Sequence, residues 1–306
     1  MKRIKRKVLL LAVLAAAGIW LWNERKHAEP AIEARSALLM EAGSGRVIYE
    51  RNAEESLPPA SMSKMMTELI VYEEVKAGRA SWEDRVTTSP YASEVTGAQI
   101  GLETGEKLAL KDMLAAMAIV SANDAAVAVA EHLAGTEDEF VVKMNAKAKE
   151  IGLSDKTVFA NASGLTRADL GPFAPKKSTG ETLLTAKDAA KLAVYLIREH
   201  PGILELTAKA DYTLPGRFGT LKTTNRMLPF TKDSFSYAGV DGLKTGFTDQ
   251  AGYCFTGTAV RDGKRLVSVV MGTETGEKRF EETRKLFNYG YGTSRSLTEW
   301  IKDVMR

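Results

Sequence analysis

Three short motifs stand in order along the chain: Ser61-Met62-Ser63-Lys64, Ser121-Ala122-Asn123 and Lys244-Thr245-Gly246. Each supplies a different part of a nucleophilic site. A serine hydroxyl is a weak nucleophile and needs a base within hydrogen-bond reach. Lys64 lies three residues after Ser61, one helical turn on and on the same face. A lysine serves as a base only when burial or a second cation lowers its pKa, and Lys244 is the candidate for that cation. Ser121 can pass the Lys64 proton to a leaving amine, and Asn123 can orient the lysine. Lys244 and Thr245 offer a charge and a hydroxyl suited to a terminal carboxylate. Gly246 removes a side chain where a substrate backbone has to come close. The backbone N–H groups of Ser61 and Phe247 are the candidate oxyanion hole.

Taken singly, each motif has an ordinary reading. An S-x-x-K arises by chance about once in a chain of this length. Ser61 is also a fair helix N-cap, with Lys64 then a solvated helix residue. Ser121, Asn123 and Asp124 belong to the same capping set, and Lys244 and Gly246 suit an exposed strand end and a turn. It is the set of three, in order and in complementary roles, that describes an active site.

The elements that must position these residues follow from periodicity. Ala37–Ala42 and Arg46–Glu50 flank Gly43-Ser44-Gly45 as a β-hairpin. Pro58-Pro59 breaks the chain, and Ser61 opens the helical run Met65–Val75. Further helices are predicted at Leu110–Val120, Asp124–Ala134, Glu137–Ile151 and Ala186–Arg198, the last stopped by Pro201. Strands follow at Leu243–Thr248, Tyr253–Val260 and Arg265–Gly272, with Asp262-Gly263 as a hairpin turn and Lys244-Thr245-Gly246 on an edge-like strand. A final helix is expected over about Lys278–Tyr289. Strands at both ends and helices between them predict an α/β (α+β) unit: an antiparallel sheet flanked by helices, with a helical insert.

The 306 residues are 44% hydrophobic and 26% charged, an ordinary globular composition. The formal charge of +3 misleads. Residues 1–35 carry eight Lys/Arg against three Glu, which leaves a body with 34 basic and 36 acidic residues. That near-neutral body gives no support to a nucleic-acid partner. One cysteine, Cys254, excludes an internal disulfide and reads as a buried side chain. His27, His132 and His200 sit near no other candidate ligand, so neither a metal site nor a Ser-His-Asp hydrolase is expected.

The N-terminus reads as an address. Five Lys/Arg precede the uncharged run Val8–Trp22, the pattern of an export signal. Ala15-Ala16-Ala17-Gly18 offers a cleavage site, but Trp20 and Trp22 suit the interface of an uncleaved membrane anchor, the preferred reading. Residues 1–22 are therefore assigned to a signal peptide or anchor, 23–35 to a linker, 36–293 to the catalytic domain and 294–306 to a short tail. In that tail Leu297, Trp300, Ile301 and Val304 line one helical face, read as packing on the body rather than on a membrane.

The sequence resembles the low-molecular-mass penicillin-binding proteins, specifically the serine D-alanyl-D-alanine carboxypeptidases, over about residues 36–290. Pro59–Thr67 resembles the family's nucleophile segment, and Ser121–Ala125 its second motif with Ala122 where Gly is usual. Thr157–Leu165 is similar to a family loop over the site, and Thr224-Asn225-Arg226 with Gly239–Gly246 to the third-motif region. The resemblance implies the β-lactamase/transpeptidase-like fold, no cofactor, and removal of the terminal D-alanine from peptidoglycan stem peptides. It implies Ser61 as acyl-enzyme nucleophile, Lys64 as base, Ser121 as proton relay, Asn123 as an orienting residue, and Lys244 with Thr245 as the carboxylate site. β-Lactams are implied to acylate Ser61.

Two departures from the family stand out. Only 60 residues follow Gly246, so the β-rich second domain that many members carry is expected to be absent, leaving membrane attachment to the N-terminus. Where some members place a carboxylate-binding arginine, this chain has Thr224, with Arg226 nearby. Among rivals, a class A β-lactamase requires an E-x-x-L-N, and Glu181-Thr182-Leu183-Leu184-Thr185 lacks its Asn. A D,D-endopeptidase cutting crosslinks and a non-turnover penicillin-sensing module remain as alternatives. Sequence does not separate a vegetative from a sporulation role.

Overall fold

The structure is a computed structural model that describes residues 29–292. The N-terminal signal or anchor, the first part of the linker and the tail face Leu297–Val304 lie outside those residues. Among the described residues no helix is long and apolar enough to cross a membrane.

A five-stranded antiparallel sheet forms the middle layer. Its strands are β1 (Ser36–Glu41), β2 (Val47–Arg51), β3 (Val240–Thr248), β4 (Gly252–Arg261) and β5 (Lys264–Thr273), in the order β2-β1-β5-β4-β3. The termini meet at its centre, where Leu38 pairs with Val269. Each strand alternates two buried faces. Leu38, Met40, Cys254, Val267, Val269 and Met271 face one core. Ala37, Leu39, Phe255, Leu266 and Val270 face another. The period of two that normally separates core from water here separates one core from a second. The turn Asp262-Gly263 closes β4 onto β5 with both φ positive, at 49° and 75°, the signature of a tight hairpin.

On one face lie α1 (Lys64–Lys76) and α5 (Ala186–Glu199), whose Met65, Met66, Leu69, Leu192 and Leu196 fill the first core. On the other, α6 (Lys278–Tyr291) buries Phe280, Leu286 and Phe287. Between α1 and α5 in sequence comes the helical insert: α2 (Leu110–Val120), α3 (Asn123–Ala134) and α4 (Glu137–Glu150), with a two-stranded ribbon of residues 85–87 and 107–109. Its own core includes Met113, Met117, Ala125 and Val129. Thr136 and Thr185 accept hydrogen bonds from Glu139 N and Asp188 N at the starts of α4 and α5, which satisfies backbone donors no helix can.

Observed helices and strands agree with the expected ones to within a few residues, and β3 is an edge strand as expected. One boundary differs. Ile32, inside the stretch read as a linker, is buried against the second core, and Glu33 N donates to Glu282 on α6. The chain therefore packs on the body before β1 starts.

Phe280 joins α6 to the sheet, with its ring 5.3 Å from that of Phe255 and 5.7 Å from that of Phe235. Truncating a fully buried phenylalanine costs about 3–5 kcal/mol. Phe280→Ala is expected to lower the urea midpoint by that free energy, and a change under about 1 kcal/mol would contradict this packing.

Candidate active site

Ser61 sits on a short 3₁₀ turn, Ala60–Ser63, that runs directly into α1. Neither Ser61 nor Ser63 caps the helix through its side chain, so the capping reading of Ser61 falls away. The solvated reading of Lys64 falls too, because it is fully buried. Met62, Met65 and Met66 anchor the turn and the first helical turn in the core. Ala60, just before Ser61, is held at φ +48°, a conformation that non-glycine residues adopt at a cost of about 1–3 kcal/mol.

Three chain segments converge on Lys64. Its Nζ lies 2.9 Å from Ser61 Oγ, 2.6 Å from Asn123 Oδ1 and 2.7 Å from the carbonyl of Ser163. The Asn123 amide is oriented by its other end, where Nδ2 donates to Thr96 O at 2.7 Å. Next to it, the Asp124 carboxylate accepts from the backbone N–H groups of Ile100, Gly101 and Leu102. Asp124 thus ties the 96–102 loop to the start of α3.

The Ser163 carbonyl arrives on the loop of residues 157–165. Asn161 Oδ1 gathers Ser163 N, Ser163 Oγ and Gly164 N around itself. Gly164, at φ +84°, presses so closely that a Cβ there would lie 2.1 Å from the carbonyl oxygen of Ala60. The loop is therefore seated on the nucleophile turn.

Ser121 ends α2 in the left-handed region at φ 65°. Its Oγ accepts from Lys244 Nζ at 2.8 Å. The lysine that contacts Ser121 is thus Lys244, and no hydrogen bond joins Ser121 to Lys64. Lys244 is 1% exposed. Its pKa is lowered to about 8 by burial, with Glu68 opposing and the Arg279 guanidinium adding to the fall. Burial first, and then the Lys244 charge, hold Lys64 well below the ordinary lysine range.

Gly246 has a close neighbour within the protein itself. A Cβ at Gly246 would lie 2.7 Å from Pro59 O and 3.1 Å from the backbone nitrogens of Ser61 and Met62. The close neighbour is the nucleophile turn itself, packed flush on the edge strand. Thr245 Oγ1 bonds Thr224 Oγ1 at 2.7 Å. Phe247, just beyond, is 47% exposed and stacks on Tyr253 at 4.2 Å.

Two charged residues at the site escaped the sequence reading. Arg279, on α6, donates to the carbonyl of Gly246 at 3.2 Å, and its Nε is buried without a partner. Arg226, the nearer in sequence, is tied to Asp233 and Glu277. Glu68, four residues after Lys64, is fully buried and neither oxygen has a hydrogen-bond partner. Only its i,i+4 spacing from Lys64 pointed to it. The carboxylate weighed as a β-lactamase signal, Glu181, instead accepts from the backbone N–H of Arg167. Among the described residues no His/Cys/Asp/Glu group could hold a metal.

A sequence profile described as D-alanyl-D-alanine carboxypeptidase matches residues 23–275. The chain is 37% identical over 297 residues to the D-alanyl-D-alanine carboxypeptidase DacF of Bacillus subtilis, covering 95% of this chain and 71% of that protein. It is 32% identical over 303 residues to DacC of Escherichia coli, covering 94% and 71%. Among solved structures, PBP3 from Streptococcus pneumoniae, titled a peptidoglycan synthesis regulatory factor, superposes with a TM-score of 0.80 at 34% identity over 85% of this chain and 74% of that one. Penicillin-binding protein D2 from Listeria monocytogenes in its ampicillin-bound form gives 0.71 at 36% identity, over 86% and 99%.

Removing a cation beside Lys64 must raise its pKa, since the ammonium form loses a repulsion. In Lys244→Met, the Lys64 Nζ resonance of ¹⁵N-lysine-labelled protein is expected to titrate at higher pH than in the wild type. An unchanged or lowered midpoint would show that burial alone sets it.

Proposed function

The chain belongs to the D-alanyl-D-alanine carboxypeptidase family and is a serine peptidase, and from that premise we propose how its site works and on what. The proposed reaction removes the terminal D-alanine from peptidoglycan stem pentapeptides through an acyl-enzyme on Ser61. One observation carries this reading: a fully buried lysine amine 2.9 Å from a serine hydroxyl, with its other two contacts both to oxygen acceptors.

Those contacts suit a neutral amine. Its two N–H bonds go to Asn123 Oδ1 and Ser163 O, which leaves the lone pair facing the Ser61 hydroxyl. As Ser61 Oγ attacks the substrate carbonyl carbon, its proton passes to Lys64 Nζ. The developing oxyanion is received by the N–H groups of Ser61 and Phe247, which the seat of Gly246 on the nucleophile turn supports as neighbours. When the C–N bond breaks, the Ser121 O–H gives its proton to the D-alanine amine, and the proton that Lys64 took from Ser61 passes to Ser121, which returns Lys64 to its neutral form. Because Ser121 Oγ already accepts from Lys244, its own O–H is the group left to donate. Water then releases the acyl group, with Lys64 again the base.

Lys244, Thr245 and Arg279 gather positive charge and a hydroxyl at the strand, which supports their holding the substrate's terminal carboxylate. The ampicillin- and cefotaxime-bound relatives support β-lactams as acylating inhibitors of Ser61. An extracytoplasmic location, with residues 1–22 as export signal or membrane anchor, is the setting this substrate requires.

Incubating the protein with a stem pentapeptide and with a crosslinked dimer tests the reading. D-Alanine release from the pentapeptide is expected. Monomer formation from the dimer would make it an endopeptidase, and acylation without either product a sensor. Ser61→Ala is expected to abolish turnover and penicillin labelling together.

Gly164→Ala tests the loop. Displacing the Ser163 carbonyl by about 1 Å is expected to lower the penicillin acylation rate about 10²-fold, with a loss of about 1–3 kcal/mol of stability. A normal acylation rate would mean that Lys64 needs no such support.

A further inference from the structure

Glu68 is a fully buried carboxyl with no hydrogen bond to either oxygen. Buried polar groups are almost always paired, and buried charges more so, so an unpaired carboxyl beside an active site needs a reason. Its position supplies one. Four residues after Lys64 on α1, it lies one turn along the same helical face, with Tyr72 one turn further. No ion pair joins it to Lys64 or to Lys244, yet these two lysines are the charges that act on it, Lys244 from β3 and Lys64 from its own helix. Burial outweighs the pull of Lys244 and Lys64 and leaves the carboxyl raised to about 7.

The surroundings contain few other charges that bear on it. Asp124 of α3 acts on Lys64, Arg279 of α6 acts on Lys244, and Glu205 acts on Tyr72, which in turn feels Glu68. Glu131 of α3 is itself raised by burial, and several other charged groups of the elements packed on α1 are engaged elsewhere. Asp112 of α2 accepts from Tyr212, Lys143 and Lys147 of α4 pair with Glu74 and Glu73, and Asp188 of α5 accepts from Ser154 and Thr157.

We propose that Glu68 is a positioning residue for acyl transfer: its carboxylate is the counter-charge for the ammonium that Lys64 becomes on taking the Ser61 proton. The proposal rests on the reading of Ser61 as nucleophile and Lys64 as base. The step balances without Glu68 changing its own proton. The Ser61 Oγ–C bond forms, the carbonyl electron pair moves to oxygen, and the Oγ proton moves to Lys64 Nζ. That proton then leaves for the amine as the C–N bond breaks. Above about pH 7, where Glu68 is ionised, Lys64 passes from neutral to cationic and back while Glu68 stays anionic one turn away. Holding the carboxylate out of direct contact matters. A tight ion pair would keep Lys64 charged and unable to accept a proton, whereas a distant carboxylate stabilises the ammonium when it forms.

The sign of the effect on pH dependence follows. A carboxylate near Lys64 favours its ammonium form, so removing that charge lowers the Lys64 pKa. In Glu68→Gln the acid limb of the penicillin acylation rate is expected to shift to lower pH by about one unit, while the plateau rate falls. Glu68→Asp retains the charge, and its limb is expected to stay near the wild-type position. An unmoved limb in Glu68→Gln, or the same shift in both variants, would overturn the proposal even if both acylate more slowly. The wild-type protein gives an independent reading. Infrared difference spectra are expected to show a buried protonated carboxyl band that fades as pH rises through about 7, and a protonated band that persists well above that pH would also overturn it. Ser61→Ala separates the two levels. Acylation surviving in that variant overturns the nucleophile reading beneath the proposal, whereas its loss together with an unmoved Glu68→Gln limb overturns the Glu68 role alone.

Discussion

Two lysine side chains, Lys64 and Lys244, are 0% and 1% exposed, and the site is arranged around the cost of keeping them there. A buried ammonium without partners is expensive, and the protein responds in two ways at once. It surrounds each amine with oxygen acceptors, and it lets burial and the neighbouring Lys244 charge favour the neutral form of Lys64. The result is a base made from a side chain that in water is almost always charged. Every segment touching Lys64 or Lys244 is held by something else in turn. Asn123 is held by Thr96, the Ser163 carbonyl by the Asn161 hub, and Ser121 by a left-handed turn that α2 and α3 enforce from both sides. Strain at Ala60 and Ser121 is tolerable because packed elements on either side determine both positions.

The helices and strands were legible in the sequence because each carries its own local signal. α2 runs from Leu110 to Val120, where the apolar period begins and ends. α5 begins after a Thr185 cap and ends at His200, just before Pro201. The three motifs were legible for a related reason, since residue type and spacing declare a nucleophile, a base and a cationic strand. What escaped was the partner of each group. Gly246 announces that something comes close but cannot name the Pro59–Met62 turn as the neighbour. Ser121 reads as a proton relay for Lys64, yet the lysine bonded to it is Lys244. Arg279 lies on a helix that reads as ordinary amphipathic packing, and its link to Gly246 depends on how α6 crosses the sheet. Ile32 reads as linker because the stretch 23–35 around it is polar, and its core is assembled from α6 and strands of the sheet. Sequence carries local periodicity well and long-range pairing poorly.

The sheet packing constrains where such a site can be. With cores on both faces, the interior strands offer no surface to another molecule, and only an edge leaves backbone groups unpaired by a neighbouring strand. The sheet has two edges, β2 and β3. β2 is five residues long and turns its last residues to solvent as Glu50 and Arg51. β3 is nine residues long, and the Ala60–Ser63 turn and the short helix Gly202–Thr207 pack against it. Only at β3 do an open strand edge, a helix start and the interhelical turn of the insert come together. Placing the cationic triplet Lys244-Thr245-Gly246 there lets one residue, Gly246, dock the nucleophile turn, while its neighbour Lys244 reaches the insert through Ser121. The insert and the sheet are thus joined at the site by the same residues proposed to do its chemistry. The three-layer packing that stabilises the fold also determines which strand can carry that chemistry.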